Sequence, residues 1–103
     1  MSVIEVTRSN FEAVVLKSDV PVLADFNAGW CGPCRAMKPM LDELAEGNTA
    51  YKIVSIDIDE EDELADEYDV SSIPCLVVFK GGEEVNRSVG LIARDAIAEL
   101  VEG

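Results

Sequence analysis

The stretch VPVLADFNAGWCGPCRAMKPM, residues 20–40, joins an apolar run, a pair of cysteines and the start of an amphipathic pattern. The apolar run, residues 20–26, has the length of a strand and is nearly continuous, which is typical of a central strand covered on both faces. Asp25 is its one charged residue. Apolar residues three and four apart then predict a helix after the cysteines. Cys31 and Cys34 therefore lie where a buried strand gives way to the N-terminus of a helix.

The rest of the chain repeats this alternation of strands and helices. Short β-rich runs, apolar residues at helical spacing and a Gly-Gly turn predict the other elements. They are a strand at 3–6, a helix begun by a capping box of Ser9 and Glu12, a strand at 51–58, a helix at 60–68, strands at 76–79 and 84–89 around Gly81-Gly82, and a last helix containing Ile97, Leu100 and Val101. This succession predicts an α/β fold in one domain, residues 1–103. It is a central mixed sheet of about five strands flanked by about four helices, in the order β-α-β-α-β-α-β-β-α.

The composition is that of a folded, strongly acidic protein. The 103 residues are 49% hydrophobic, and 8 basic against 21 acidic side chains, with no histidine, give a net charge of −13. A field of this sign repels nucleic acids and anionic membranes, so we expect neither as a partner and expect charged partners to present a basic patch. A carboxylate-rich surface that keeps the protein soluble and an adaptation to a high-salt cytoplasm both explain the excess of acid.

The sequence lacks recognisable export and membrane signals. No apolar run approaches the roughly 20 residues that cross a bilayer, and residues 1–5 lack the basic and apolar regions of a signal peptide. We therefore expect a cytoplasmic protein. Its three cysteines are too few for a disulfide scaffold, so the pair at Cys31 and Cys34 needs a chemical explanation.

The position of Cys31 favours a reactive thiolate. Unpaired backbone N–H groups and the positive end of the helix dipole stabilise an anion at a helix N-terminus, so Cys31 is the predicted nucleophile. Pro33 fits the first helical turn, and Gly32 allows another backbone to come close. Cys34, further into the helix, is expected to be the more buried of the two. Such a pair can attack a target disulfide through Cys31 and release the reduced target when Cys34 attacks Cys31, without a metal or an organic cofactor.

A structural metal site is the simplest alternative for two cysteines at this spacing. A closed zinc site needs four nitrogen or sulfur ligands, whereas the chain has three cysteines and no histidine. An iron–sulfur cluster held by one chain fails the same count. A metal site shared between two chains remains open, but the sequence favours redox exchange over it.

Several motifs resemble those of the thioredoxin family, in the same order and over nearly the whole chain. They are WCGPC at Trp30 to Cys34, Asp25-Phe26 before it, Ile73-Pro74 after the third helix and Val89-Gly90 late in the chain. The resemblance implies the thioredoxin fold and a redox-active disulfide, with Cys31 as the attacking thiol and Cys34 as the resolving thiol. It also implies that Asp25 is a buried carboxylate that handles the proton of Cys34, and that Pro74 is a cis proline facing the cysteines.

Most of these site residues also have a simpler interpretation. Asp25 is expected to have a raised pKa and to accept a proton, which we favour, or it is a strand-end carboxylate that reaches solvent. Pro74 leaves a gap in the ladder where an extended substrate can pair, or it merely starts a strand. Trp30 covers the cysteines or contacts substrates, or it serves general packing, and Gly90 permits close approach of a target or is a plain bulge. The predicted substrate-binding residues are Trp30, Gly32, Pro33, Ile73, Pro74 and Gly90.

Three positions depart from the family pattern. Asn27 stands where bacterial members commonly have a second tryptophan, which removes an apolar wall near the site. Ser55 replaces the lysine that often accompanies the buried aspartate, so the pKa of Asp25 is expected to be higher still. Cys75 follows Pro74 where the family often has threonine. It is either an inert, buried small hydrophobe, the interpretation we favour, or an exposed thiol open to oxidation.

The sequence thus predicts a general protein-disulfide reductase that supports cell redox homeostasis and donates electrons to reductive enzymes. By resemblance, its substrates are protein disulfides and an electron donor such as a flavin-dependent thioredoxin reductase keeps it reduced; we expect a monomer. A redox-regulated binding module, or a subunit of a larger complex, is the alternative, and replacing both cysteines by serine separates the two. A disulfide oxidase or isomerase is disfavoured by the absent export signal and by Gly32-Pro33, which accompanies reducing members.

Overall fold

Strands and helices alternate up to a closing hairpin and helix, over residues 2–103, which the computed structural model describes. The strands are β1 (Ile4–Glu5), β2 (Val22–Asn27), β3 (Lys52–Asp57), β4 (Cys75–Lys80) and β5 (Glu83–Val89). The helices are α1 (Arg8–Phe11, continued by a π-helical turn at Glu12–Leu16), α2 (Gly32–Glu46), α3 (Asp62–Glu67) and α4 (Arg94–Glu102). This succession is the predicted one. Every helix within residues 2–103 is too short or too polar to span a bilayer.

The five strands form one mixed sheet in the order β1-β3-β2-β4-β5. β3 runs parallel to both β1 and β2, and β4 runs antiparallel to both β2 and β5. The predicted mixed sheet is therefore confirmed, with β2 at its centre. Residues 22–26 of β2 are all buried, as the continuous apolar run predicts.

Alternate side chains of β2 enter two separate hydrophobic cores. On one face, Ala24 and Phe26 belong to a core shared with α1 and α3. On the other face, Leu23 belongs to a core shared with α2 and α4. Because side chains alternate along a strand, Asp25 and Asn27 lie on the face of Leu23, which α2 covers. The carboxylate of Asp25 is thus on the same side of the sheet as the helix that begins after Cys31.

The start of α1 differs from the prediction. Its capping box is formed by Thr7 and Asn10 rather than by Ser9 and Glu12, and the backbone N–H of Thr7 donates to Asn10 Oδ1 over 2.7 Å. Thr7 and Asn10 offer the same chemistry at the same spacing, and Thr7 has the extended backbone, with φ −119°, that an N-cap requires. Ser9 lies inside α1, and the carbonyl of Glu12 accepts the N–H of Lys17 over 2.9 Å in the π-helical turn.

The hairpin between β4 and β5 turns at Gly81-Gly82, as predicted. The two glycines have φ values of 61° and 82°, the positive pair that a tight hairpin turn requires. A Cβ on Gly82 would come within 2.9 Å of the Leu16 carbonyl oxygen, so the turn packs closely against the end of the first helix. At Gly82 both the positive φ and the close approach require glycine, whereas at Gly81 only the positive φ does.

Candidate functional site

The two cysteines of the pentapeptide lie at the N-terminus of α2. Cys31 is the N-cap residue, and its Sγ accepts the backbone N–H of Cys34 over 3.2 Å. Pro33 occupies the first turn, where its missing N–H would have had no helical partner. The two cysteines form a disulfide, and their Cα atoms are 5.2 Å apart. The predicted position of the pair between a strand and a helix is therefore confirmed.

The prediction that Cys34 is the more buried cysteine is wrong. Cys31 and Cys34 are each 5% exposed. The two residues are three apart at the start of α2, so they lie on the same face of the helix and are covered alike. Gly32 and Pro33, between them in the chain, are exposed, and a Cβ on Gly32 would meet only the guanidinium of Arg35, at 3.9 Å. The backbone beside the disulfide is therefore open to a partner.

Asp25 is a buried carboxylic acid in the middle of the sheet. It is 5% exposed, so the interpretation as a strand-end carboxylate that reaches solvent is wrong. The pKa of Asp25 is raised from 3.8 to about 7. Burial is the largest cause, a hydrogen bond from Asn27 lowers the pKa, and the charge of Glu5 raises it. A carboxyl group with this pKa changes its protonation near neutral pH, as a proton acceptor must.

Asn27 and Ser55 form a hydrogen-bonded pair beside this carboxylate. Nδ2 of Asn27 donates to Asp25 Oδ2 over 3.2 Å, to the Asp25 carbonyl oxygen over 2.9 Å and to Ser55 Oγ over 2.8 Å. Ser55 is the register partner of Asp25 in the β2–β3 pairing. Sequence reasoning treated both positions only as losses from the family pattern. The alternation of β2, which places Asn27 two residues from Asp25 on the same face, was the signal that could have found the contact between Asn27 and Asp25.

A cavity of about 460 Å³ connects these groups with Cys34. Its walls include Glu5, Asp25, Asn27, Cys34, Lys38 and Ser55. The structure thus brings Asp25 of β2 and Cys34 of α2 to the wall of one space. Proton movement between Cys34 and the carboxyl group is possible in this space.

Pro74 and Gly90 lie next to each other. The Ile73–Pro74 peptide bond is cis, as the resemblance implied, and Pro74 directly precedes β4. The backbone N–H of Gly90 donates to the Pro74 carbonyl over 2.8 Å. The irregular pairing between β4 and β5 is at Val78 and Phe79, so Gly90 is not the bulge of this hairpin. Gly90 has φ +99°, and a Cβ there would meet nothing within 4 Å.

Trp30 is exposed beside the disulfide. Its side chain is 67% exposed, so the interpretation as a general packing residue is wrong. The indole Nε1–H donates to Asp59 Oδ2 over 2.9 Å, which gives the ring a fixed polar partner. Asp59 was not among the predicted site residues, because it follows β3 and only the folded chain brings it to Trp30.

Cys75 is a buried, free thiol at the start of β4. It is 1% exposed, which confirms the interpretation as a small buried hydrophobe. Burial raises the pKa of this thiol, so it is a weak nucleophile at neutral pH. Within residues 2–103, no cluster of three or more His, Cys, Asp or Glu side chains is placed to hold a metal ion.

Comparison with known proteins places this geometry in a family. Residues 2–103 match the family model named Thioredoxin. Thioredoxin 1 of Nostoc sp. is 43% identical over 99 residues, which cover 95% of this chain and 92% of that protein. The chloroplastic M-type thioredoxin of Chlamydomonas reinhardtii is 44% identical, over 94% of this chain and 70% of that protein.

Two solved structures share the fold. A mutant thioredoxin from Halobacterium salinarum superimposes with a TM-score of 0.90 at 40% identity, covering 98% of this chain and 88% of that one. A chain from a structure concerning thiol resolution in a yeast mitochondrial peroxiredoxin, via glutathione and thioredoxin systems, has a TM-score of 0.87 at 27% identity and covers 98% of this chain and 94% of that one. The resemblance stated from WCGPC and the other motifs is therefore confirmed. The chain belongs to the thioredoxin family and is a disulfide oxidoreductase that acts by dithiol–disulfide exchange.

Proposed function

We propose that the chain is a general protein-disulfide reductase in which Cys31 attacks the substrate and Cys34 resolves the intermediate. The observation that carries this assignment is the position of Cys31 at the N-cap of α2, where its sulfur accepts the backbone N–H of Cys34. That donor and the helix dipole stabilise a thiolate on Cys31. Cys34 lies inside α2 and is bonded to the same sulfur, so it can attack Cys31 from within the helix.

The reaction consists of two exchanges. The Cys31 thiolate attacks one sulfur of a substrate disulfide, a mixed disulfide forms, and the other substrate sulfur leaves as a thiolate. Cys34 then loses its proton and attacks Cys31, which forms the Cys31–Cys34 bond and releases the second substrate thiol. Two electrons pass from the dithiol to the substrate, so the disulfide is the only redox group that the chemistry requires.

Asp25 is the proposed acceptor of the Cys34 proton. The two residues line the same cavity, and the pKa of Asp25, raised by burial to about 7, suits an acceptor that must release the proton again near neutral pH. No other carboxyl group in the described part of the chain is buried in this way.

We infer the substrate surface from residues next to the disulfide in sequence and from the Pro74–Gly90 pair. It consists of Trp30, Gly32, Pro33, Ile73, Pro74 and Gly90. Trp30, Gly32 and Pro33 are exposed, and Pro74 lacks the N–H that a paired strand would offer. Gly90, whose missing Cβ leaves open space, is hydrogen-bonded to Pro74. An extended substrate segment can approach the disulfide over this pair without meeting a side chain of Gly90.

The proposed partners follow from the family and from the charge. We propose a thioredoxin reductase as the electron donor, protein disulfides as substrates and a monomeric protein in the cytoplasm. A net charge of −13 favours substrates that carry basic residues near their disulfide. One relative is named as chloroplastic, so localisation of the tagged protein is the test of the proposed compartment.

Single-cysteine variants test the assigned roles. With a protein substrate that contains one disulfide, Cys34→Ser is expected to accumulate a mixed disulfide through Cys31, and Cys31→Ser is expected to form none. Cys75→Ser is the matched control, because this buried thiol lies outside the proposed chemistry, and it should reduce the substrate at the wild-type rate. An adduct on Cys34 in Cys31→Ser, with none on Cys31 in Cys34→Ser, would reverse the assignment. Folded wild-type protein without any exchange would favour the binding-module alternative.

A further inference from the structure

We propose that Asn27 is a positioning residue, which holds one oxygen of the Asp25 carboxylate and leaves the other to receive the proton of Cys34. The inference rests on the proposed role of Asp25 as proton acceptor. It adds the oxygen at which the proton arrives and the side chain that selects it. Asn27 departs from the family pattern, so the arrangement is a property of this chain.

The amide of Asn27 is held from two sides. Its Nδ2 lies 2.8 Å from Ser55 Oγ, 2.9 Å from the Asp25 carbonyl oxygen and 3.2 Å from Asp25 Oδ2. Nδ2 carries two hydrogens, so one of them is shared between acceptors. Ser55 and Asp25 are paired across β2 and β3, which fixes the three side chains relative to one another. Nδ2 therefore cannot turn away from Oδ2 without also losing its hydrogen bond to Ser55 Oγ.

The two oxygens of Asp25 are consequently unequal. Oδ2 accepts the Asn27 hydrogen bond, whereas Oδ1 is buried and has no hydrogen-bond partner within residues 2–103. An unpartnered oxygen of a buried carboxylate gains most from a proton, because it has no other means of compensating for its lost hydration. Asp25 and Cys34 line the same cavity, and we assign the proton to Oδ1 because it is the oxygen without a partner.

The surroundings give Asn27 a second effect, on the affinity of the carboxylate for that proton. The titratable and charged groups around the carboxylate are Glu5 on β1, Cys34, Arg35, Lys38 and Asp42 on α2, and Cys75 on β4. Burial and Glu5 both favour the protonated form of Asp25, and the Asn27 hydrogen bond opposes them. A neutral amide thus stabilises the charged carboxylate, whereas in the family pattern a lysine at the position of Ser55 accompanies it.

The resolving step then proceeds with defined atoms. In the mixed disulfide, the Cys34 thiol gives its proton to Asp25 Oδ1, and the Cys34 thiolate attacks Cys31 Sγ. The Cys31–Cys34 bond forms, the bond from Cys31 to the substrate sulfur breaks, and the substrate leaves as a thiolate. Asp25 afterwards returns the proton to that thiolate or to water. The substrate gains the two electrons that the dithiol loses.

Single-turnover kinetics with a chromogenic aromatic disulfide test this assignment. The pre-reduced protein releases one coloured thiolate when Cys31 attacks and a second when Cys34 attacks, so the two steps are separate phases. In Asn27→Ala, the midpoint of the pH profile of the second phase should rise by about one unit, which makes the second phase about tenfold slower below the midpoint. The first phase should change less than about twofold.

Asn86→Ala is the matched control. It also removes an amide that donates to a backbone carbonyl, that of Leu100 over 3.2 Å, but at the β5–α4 side of the protein. Both of its phases should follow the wild-type profile. An Asn27→Ala profile that superimposes on the wild type overturns the role of Asn27.

Asp25→Asn separates this proposal from the one on which it rests. If Asp25→Asn leaves the second phase unchanged, the role of Asp25 as acceptor fails, and the role of Asn27 fails with it. If Asp25→Asn slows the second phase and Asn27→Ala does not, only the role of Asn27 fails. Should Asn27→Ala not fold, Ser55→Ala removes the anchor of the amide instead. A second phase about threefold slower below the midpoint supports the proposal, and an unchanged profile overturns it.

Discussion

Gly90 donates its backbone N–H to the carbonyl oxygen of Pro74 over 2.8 Å. The bond joins the residue after β5 to the residue before β4, so two proposed substrate-contacting positions are held side by side. Gly90 has φ +99°, a conformation that side chains rarely adopt, and a Cβ at this position would meet nothing within 4 Å. The backbone conformation, rather than crowding, is therefore the reason for glycine here.

Gly90→Ala is expected to lower the free energy of unfolding by about 1–2 kcal/mol, because alanine resists the positive φ. Gly29→Ala is the matched control: a Cβ there also meets nothing within 4 Å, and Gly29 is not among the residues with positive φ. Its effect should stay within about 0.5 kcal/mol. Urea unfolding measures both, and equal losses in the two variants would contradict the conformational explanation.

Asp25→Asn should make stability less dependent on pH. The pKa of Asp25 is about 7 in the folded protein against 3.8 ordinarily, so the folded state binds the proton more tightly and the wild type loses stability as pH rises between these values. Above them the buried charge costs up to about 4 kcal/mol, which Asp25→Asn should recover. The difference should vanish below about pH 3, where both states carry the proton. Urea unfolding over a pH series checks this, and an advantage independent of pH would contradict it.

Salt should stabilise the protein. A net charge of −13 on 103 residues makes the compact state repel itself, and added ions screen that repulsion. We expect the thermal unfolding midpoint to rise from about 0.05 M to about 1 M sodium chloride at neutral pH. The few exposed ion pairs, such as Arg8–Glu63 at 3.9 Å, lose little by screening. A midpoint that falls as salt rises would contradict this account of the acidic surface.

Arg87→Lys should destabilise the protein by about 1–2 kcal/mol. The guanidinium of Arg87 donates to both carboxylate oxygens of Glu84, over 2.7 and 2.8 Å, and to the Tyr68 carbonyl over 2.6 Å, which ties β5 to the end of α3. An ammonium group cannot reproduce this planar set of bonds. Arg8→Lys, in an exposed pair, is the control and should change stability by less than about 0.5 kcal/mol. Thermal unfolding that ranks Arg8→Lys equal to Arg87→Lys would exclude the explanation.

The order of the strands and helices could be predicted because each element has its own periodicity or turn chemistry. β2 is buried on both faces and therefore lacks polar alternation, and the β4–β5 hairpin requires two residues with positive φ, which Gly81-Gly82 supplies. The capping box of α1 could not be settled in this way. Thr7 with Asn10 and Ser9 with Glu12 offer nearly the same local chemistry, and the packing of the folded chain selects the first pair.

The environment of Asp25 could be predicted only in part. The apolar residues around it favoured burial, but only the fold excluded a strand-end carboxylate that reaches solvent. The Asn27–Ser55 bond could not be predicted, because the two residues are 28 apart in sequence and meet only through the register of β2 with β3. The equal burial of Cys31 and Cys34 was missed because the prediction considered depth along the helix and not the face that the two residues share.

The most direct test of the account is the fate of the three thiols in a single turnover. The reduced protein is mixed with an equimolar protein substrate containing one disulfide, quenched with an alkylating agent and mapped by mass spectrometry. We predict one substrate disulfide reduced per chain, with Cys31 and Cys34 protected from alkylation by their new bond and Cys75 left as the remaining thiol of the three. Oxidation at Cys75, or a substrate that stays oxidised while Cys31 and Cys34 are alkylated, would contradict dithiol–disulfide exchange through this pair.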